Sequence, residues 1–274
     1  MLRTRVVTAV ALVICFLLAL FFLAPLWWAI FTLAVILLAG HEWSRLWKFE
    51  PEEEFGYLVA IAATGALILF VLPPNVASAP SYYTAVAFWF LGAPAWLYFG
   101  WKPVSKWIAA LVGAVIFLAT WLAMVDLRAL GPLWLLVTMA LVWVADISAY
   151  FAGRAFGRRK LAPAISPGKS WEGVFGGVAG VMLYATLIIL AVQSVMLGAT
   201  THTIDARTWS ALLALACIMG SISVVGDLFE SAVKRLAGVK DSGAVLPGHG
   251  GILDRVDALL PVLPLAALIF TRNQ

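Results

Sequence analysis

Of the 274 residues, 64% are hydrophobic and only 12% are charged, and the mean hydropathy is +1.01. A water-soluble chain of this length could not bury so much apolar surface, so the composition excludes a soluble globular protein and makes a bilayer the solvent. The formal net charge is +4, and no nucleic-acid partner is expected.

Polar breaks separate nine apolar segments, at roughly 6–23, 26–41, 56–72, 82–99, 104–125, 132–152, 172–197, 208–226 and 255–271. The expected fold is therefore an all-α polytopic membrane protein of about nine transmembrane helices. Arg3 and Arg5 ahead of the first segment resemble a signal peptide. The stretch is long for one, however, and runs into Pro25 and a second span without a small-x-small cleavage site, so it reads as an uncleaved helix. With the N-terminus cytoplasmic and every segment crossing, fifteen of the eighteen Lys and Arg fall on the cytoplasmic side. Only Arg128, Arg207 and Arg272 lie outside, a split that follows the positive-inside bias and puts the C-terminus on the outer side. Cys15 and Cys217 both lie within apolar segments and read as packing residues, not as a disulfide or a metal pair.

Glu50, Glu52, Glu53 and Glu54, beside Pro51, read as a solvated loop, and Asp126 and Asp205 as outer turns. Glu42, Asp146, Glu172, Asp227, Glu230, Asp241, Asp254 and Asp257 all fall at or near cytoplasmic ends of spans. A transporter would more naturally place some charge near the midplane, so the one-sided distribution favours chemistry at one membrane face. Residues 1–125 form an N-terminal membrane region. Residues 126–274 form a catalytic one, with cytoplasmic loops at 153–171 and 227–254.

The loop after the sixth segment, GRAFGRRKLAPAISPGKSWEG, holds five cations before its first acid, Glu172. Anchoring to anionic headgroups accounts for part of that charge. In its tail, Pro167 and Gly168 read as a turn, Ser170 as a helix cap and Glu172 as a first-turn acid. Lys169 then stands beside a helix N-terminus, a natural phosphate site, with Ser166 and Ser170 around it. A P-loop is excluded because its first glycine would fall at position 163, which is proline. Gly173, Gly176, Gly177 and Gly180 have small-xxx-small spacings that suit close helix packing.

The eighth segment ends in GDLFESAVKRLAG. Asp227, Ser231 and Lys234 stand at i, i+4 and i+7 on one helical face, with Glu230 beside them. Asp227 and Lys234 are about 10 Å apart along the axis, comparable to a metal-bound triphosphate. An ordinary surface helix with an internal ion pair is the plainer alternative. Residues 231–257 then gather seven ionised side chains, one histidine and five glycines, a costly set of groups to hold beside a bilayer. Pro247, Gly248, Gly250 and Gly251 allow a tight backbone that offers N–H groups to an anion, around His249. Asp254 and Asp257, at i and i+3, can face the same way. Clustered carboxylates with no cysteine and one histidine favour a hard cation such as magnesium.

The run Ser231, Val233, Lys234, Arg235, Lys240, Asp241, Gly243, Leu246, Pro247, His249, Gly250, Gly251, Ile252, Asp254, Arg255, Val256 and Asp257 resembles the signature of the phosphatidate cytidylyltransferases, the CDP-diacylglycerol synthases. Residues 143–260 carry most of the likeness; the first 125 residues share little beyond apolar spans. The resemblance implies conversion of CTP and phosphatidate to CDP-diacylglycerol and pyrophosphate in phospholipid biosynthesis, with magnesium and room for a second, monovalent cation such as potassium. It also implies a homodimer in a bacterial inner membrane, with the site facing the cytoplasm and the C-terminus periplasmic. The resemblance suggests Asp227 and Asp254 as metal ligands, and Asp257 joins them as a candidate. Lys234, Arg235, His249 and Asp241 are the catalytic candidates. Asp146, Ser166, Lys169, Ser170, Ser231, Lys240, Gly250, Gly251 and Arg255 are candidates for holding substrate. A CTP-dependent polyprenol kinase and a membrane transporter are the alternatives. A CDP-alcohol phosphotransferase is disfavoured because its spaced DG…AR…G…D…D motif is absent.

Overall fold

The computed structural model describes residues 2–72, 74–100, 102–199, 204–245 and 250–271, and for 2–9, 74–77 and 196–199 the backbone only. Its helices are α1 (Leu2–Phe22), α2 (Pro25–Leu46), α3 (Pro51–Phe70), α4 (Pro74–Ala87), a π-helical turn (Phe88–Gly92), α5 (Ala93–Tyr98), α6 (Lys106–Leu130) and α7 (Pro132–Phe156). A two-stranded hairpin follows, β1 (Lys160–Ala162) and β2 (Ser166–Ser170), and then α8 (Trp171–Ala199), α9 (Ala206–Ala237), α10 (Leu253–Val256) and α11 (Leu259–Phe270). The all-helical expectation holds, with the hairpin as the exception. Among the described residues, six helices, α2, α3, α6, α7, α8 and α9, are long and apolar enough to cross a membrane, and Val10–Phe22 and Leu259–Phe270 are shorter apolar helices.

The starts are set by local chemistry. Proline opens α2, α3, α4 and α7, where its missing N–H costs nothing. Ser105 and Asp205 cap α6 and α9 by accepting the N–H groups of Ile108 and Thr208. Glu50 and Glu53 form a reciprocal capping box at the start of α3. The acids around Pro51 are thus more than solvated charge: Glu53 also pairs with Lys106 of α6 at 2.5 Å, and Glu54 meets His41 of α2 at 2.5 Å. Asp126, expected in an outer turn, is inside α6 and accepts the Tyr82 hydroxyl at 2.8 Å, tying α4 to α6. Cys15 and Cys217 are free thiols, and Cys15 is exposed on α1 instead of packed.

The core is centred on α2, α6 and α11. Indole N–H groups join α2 to α6, from Trp28 to the Met124 carbonyl, Trp121 to Ala29 and Trp43 to Ala109, at 3.1, 2.9 and 3.0 Å. Away from water such donors need an internal partner, and helix carbonyls with spare lone pairs supply it. The expected packing glycines hold: Gly173, Gly176, Gly177 and Gly180 of α8 face Ala145, Ser148, Ala149, Ala152 and Gly153 of α7.

Two features position the polar end of the molecule. About 20 residues suffice to span hydrocarbon, and α9 has 32; its last three turns carry Asp227, Glu230, Ser231 and Lys234. On their other side Phe229 is 6% exposed, stacked on Trp43 and met edge-on by Phe88, Trp89 and Trp96. This aromatic nest fixes the rotation of α9. The ninth apolar segment, expected as one helix, is broken at Asp257 and Ala258. Pro261 explains the break, since its ring clashes with the carbonyl four residues earlier, that of Asp257.

Candidate active site

A cavity of about 430 Å3 opens where α7, the hairpin, α8 and α9 meet, and Asp146, Ser166, Lys169, Ser170 and Asp227 all line it. The turn predicted at Pro167 and Gly168 is instead part of β2, and the chain reverses at residues 163–165. A two-stranded ribbon tolerates Pro167 because an edge strand need not donate at every position. Ser170 behaves as expected and accepts the Gly173 N–H at 3.2 Å. Glu172 does more than favour the helix start: its carboxylate accepts the N–H groups of Arg158 and Arg159 at 3.1 and 3.2 Å, tethering the hairpin's entry. Lys169 ends up over the cavity in an ion pair with Asp227.

The predicted face of α9 is present. Ser231 donates to Asp227 Oδ1 at 3.3 Å. Lys234 Nζ stands 2.5 Å from Glu230 Oε2 and 2.6 Å from Asp254 Oδ1, with the three side chains 12%, 2% and 10% exposed. Asp254 also accepts the N–H groups of Ser242 and Gly251, at 3.0 and 2.9 Å. Burial opposes ionisation of Asp254, but the Lys234 ammonium and these two amides outweigh it and hold the carboxyl below the ordinary range. Gly250 has φ +82°, a left-handed turn that glycine adopts without strain and that lets Gly251 present its N–H.

Gly226 brings Asp227 and Asp257 together. A Cβ there would stand 2.5 Å from the Asp257 carbonyl and 2.9 Å from the Pro261 ring, so only glycine allows α9 this close to α11. Asp227 is within electrostatic reach of both Asp146 and Asp257. Five carboxylates, those of Asp146, Asp227, Glu230, Asp254 and Asp257, therefore surround two ammonium groups. Neither oxygen of buried Glu230 has a hydrogen-bond partner; its contact with Lys234 is close but poorly angled for a hydrogen bond, and we read it as an ion pair.

Among the described residues, no three acids converge closely enough to hold one ion as the side chains stand; Lys169 is paired with Asp227 and Lys234 with Asp254. The donor set still fits a hard cation: all oxygen, in excess of the cations, with a buried carboxylate at Glu230 that has no hydrogen-bond partner.

Arg235 does not line the cavity; it donates to the Ile165 carbonyl of the hairpin and to the Val239 carbonyl, each at 3.1 Å. Lys240, Asp241 and Arg255 are exposed on the 238–255 segment, outside the cavity lining. His249 lies outside the described residues. Tyr150 and Arg154, which the sequence reading did not single out, line the cavity. They follow Asp146 at i+4 and i+8, a spacing on one helical face that could have identified them. Glu230 was legible in the same way, since its offset from Lys234 is the closest ion-pair spacing on α9.

A helical membrane protein with a cavity where a lysine meets a carboxylate, and with a second lysine–carboxylate cluster on the same helix, has the groups that handle phosphates. The chain belongs to the Cytidylyltransferase family, whose model matches residues 3–272. It is 40% identical over 282 residues to the phosphatidate cytidylyltransferase of Pseudomonas aeruginosa, covering 98% of this chain and 97% of that one. With the phosphatidate cytidylyltransferase of Thermotoga maritima it shares 37% over 240 residues, 86% and 85% of the two chains. With that of Haemophilus influenzae it shares 32% over 304 residues, 98% and 99%. The likeness thus extends through the first 125 residues as well, beyond the region where the motifs lie.

Proposed function

We infer that this chain is a phosphatidate cytidylyltransferase, converting CTP and phosphatidate to CDP-diacylglycerol and pyrophosphate. The observation that carries the reading is the cavity where Lys169 meets Asp227, in a chain similar to such enzymes over nearly its whole length. A phosphate oxygen of phosphatidate attacks the α-phosphorus of CTP and pyrophosphate departs. That nucleophile is a monoester with a second pKa of about 6, already largely dianionic at neutral pH. No strong general base is required, and repulsion between two polyanions is the main obstacle. Lys169, on the cavity rim, exchanges its pairing with Asp227 for a substrate phosphate. Lys234 holds Asp254 and Glu230 in place and balances their charge. Ser166, Ser170 and Arg154 line the cavity as donors to phosphate oxygens. A magnesium ion held by Asp227 and Asp254, with Asp257, would neutralise phosphate charge and align the reacting groups when bound.

The topology belongs to the same proposal. Six long helices, two shorter apolar ones and the α4–α5 segment supply nine crossings, with the N-terminus cytoplasmic and the C-terminus periplasmic. The cavity then faces the cytoplasm of a bacterial inner membrane, where CTP is available. The exposed apolar face of α8, including Phe175, Leu183 and Leu187, leaves surface for lipid or for a homodimer. A purified-protein assay with α-labelled and γ-labelled CTP tests the reading. Label from the α position in lipid supports it, and label from the γ position alone marks a lipid kinase.

A further inference from the structure

Glu42 is remote from the candidate site in sequence, near the end of α2, and is 1% exposed. Its carboxylate is engaged by a segment made of two described stretches, 242–243 and 251–253. Oε2 accepts the Ser242 hydroxyl at 2.9 Å and the Leu253 N–H at 2.8 Å, and Oε1 accepts the Ile252 N–H at 3.0 Å. The segment is shaped around it. A Cβ on Gly243 would stand 2.5 Å from Glu42 Oε1, and one on Gly251 would strike both Ser242 and Glu42. Two glycines of the signature run are therefore contacts of this acid, whether or not they also face an anion.

The opposite side of the same backbone faces the site. Ser242 and Gly251 direct their N–H groups at Asp254, and Asp254 holds Lys234. The segment is thus gripped between two carboxylates, Glu42 behind and Asp254 in front. Ser242 touches both, its hydroxyl on Glu42 and its N–H on Asp254. Hydrogen bonds to a buried carboxylate are strong and directional, so the position of Glu42 sets that of Asp254.

We propose that Glu42 is a positioning residue for cytidylyl transfer: it pins Ser242, Ile252 and Leu253 so that Asp254 and Lys234 stand in register with Asp227. The proposal rests on the functional reading above. It gives the N-terminal helices a part in the chemistry beyond anchoring.

The test uses the full chain in proteoliposomes, as wild type, Glu42→Gln, Glu42→Ala, Ser242→Ala and the Glu42→Gln/Ser242→Ala pair. Glu42→Gln places an NH2 donor against donors. Its kcat falls about 10- to 100-fold, the range for residues that orient metal ligands, and the magnesium concentration for half-maximal rate rises by a similar factor. KM for phosphatidate stays unchanged. Trypsin cleavage after Lys240, measured without substrate or metal, accelerates. Ser242→Ala removes one of three bonds and costs about 3- to 10-fold; the pair costs no more than Glu42→Gln alone. A Glu42 role confined to folding would lower the yield of folded protein and leave the magnesium requirement and the Lys240 cleavage rate of what remains at wild-type values; that result overturns the proposal. Should Glu42→Ala fail to insert, Ser242→Ala still decides, because additive losses in the pair refute the clamp. Should wild type transfer no α-label, the functional reading fails, and the trypsin rates still show whether Glu42 holds the segment.

Discussion

Replacing Lys234 by Met probes the arrangement most severely. The substitution keeps the length and apolar body of the side chain and removes only the ammonium. Glu230 and Asp254, 2% and 10% exposed, are then left as neighbouring buried acids without their shared cation. Removing one partner from a buried ion pair costs about 3–5 kcal/mol. At about 2–4 °C per kcal/mol for a chain of this size, the apparent Tm drops by about 6–20 °C. Thermal unfolding of detergent-purified protein, followed by tryptophan fluorescence, reads the change directly. The Lys234→Met/Glu230→Gln pair removes one charge of each sign, recovers most of the lost Tm, and remains inactive. An unchanged Tm for Lys234→Met would refute the buried triad. Recovery of transfer activity in the pair would refute a role for Lys234 beyond charge balance.

Lys169→Ala removes a cation from the cavity rim and lowers kcat/KM for CTP by about 10- to 100-fold, whereas exposed Lys240→Ala changes it far less; steady-state kinetics on both would expose an inverted order. Gly226→Ala drives a Cβ into the Asp257 carbonyl and Pro261 ring and costs about 1–3 kcal/mol by overpacking, while Gly168→Ala, with open space at its Cβ position, leaves the melting temperature near wild type. Asp254 is held below the ordinary carboxylate range, so its contribution is complete above its unfolded pKa of about 4 and is lost as pH falls through the lower folded value. A melting series across acid pH should show this loss in wild type and its absence in Asp254→Asn. Asp227→Asn abolishes transfer while the protein still inserts, and near wild-type turnover at limiting magnesium would remove it from the metal set.

Helix positions were legible because apolar length and proline starts are local signals, and the register of Asp227, Ser231 and Lys234 followed from helical periodicity alone. The hairpin was not, since SPGKS carries proline and glycine that read as a turn until β1 is seen beside it. The break at Asp257 was foreshadowed by Pro261 but hidden in a continuous apolar run. Arg235 was a catalytic candidate through its place in the signature run, and only the fold shows its donors turned to the Ile165 and Val239 carbonyls. Glu42 was visible as an acid near the end of a span. Its partners lie about 200 residues away, a separation that periodicity cannot bridge.

The central claim is cytidylyl transfer to phosphatidate, and one measurement tests it most directly. The purified chain, in liposomes containing phosphatidate, is given CTP labelled at the α-phosphorus with magnesium present, and the lipid fraction is counted. The account expects α-label in CDP-diacylglycerol with stoichiometric release of unlabelled pyrophosphate, abolished by Asp227→Asn. Lipid that acquires no α-label from an inserted and folded protein would contradict it.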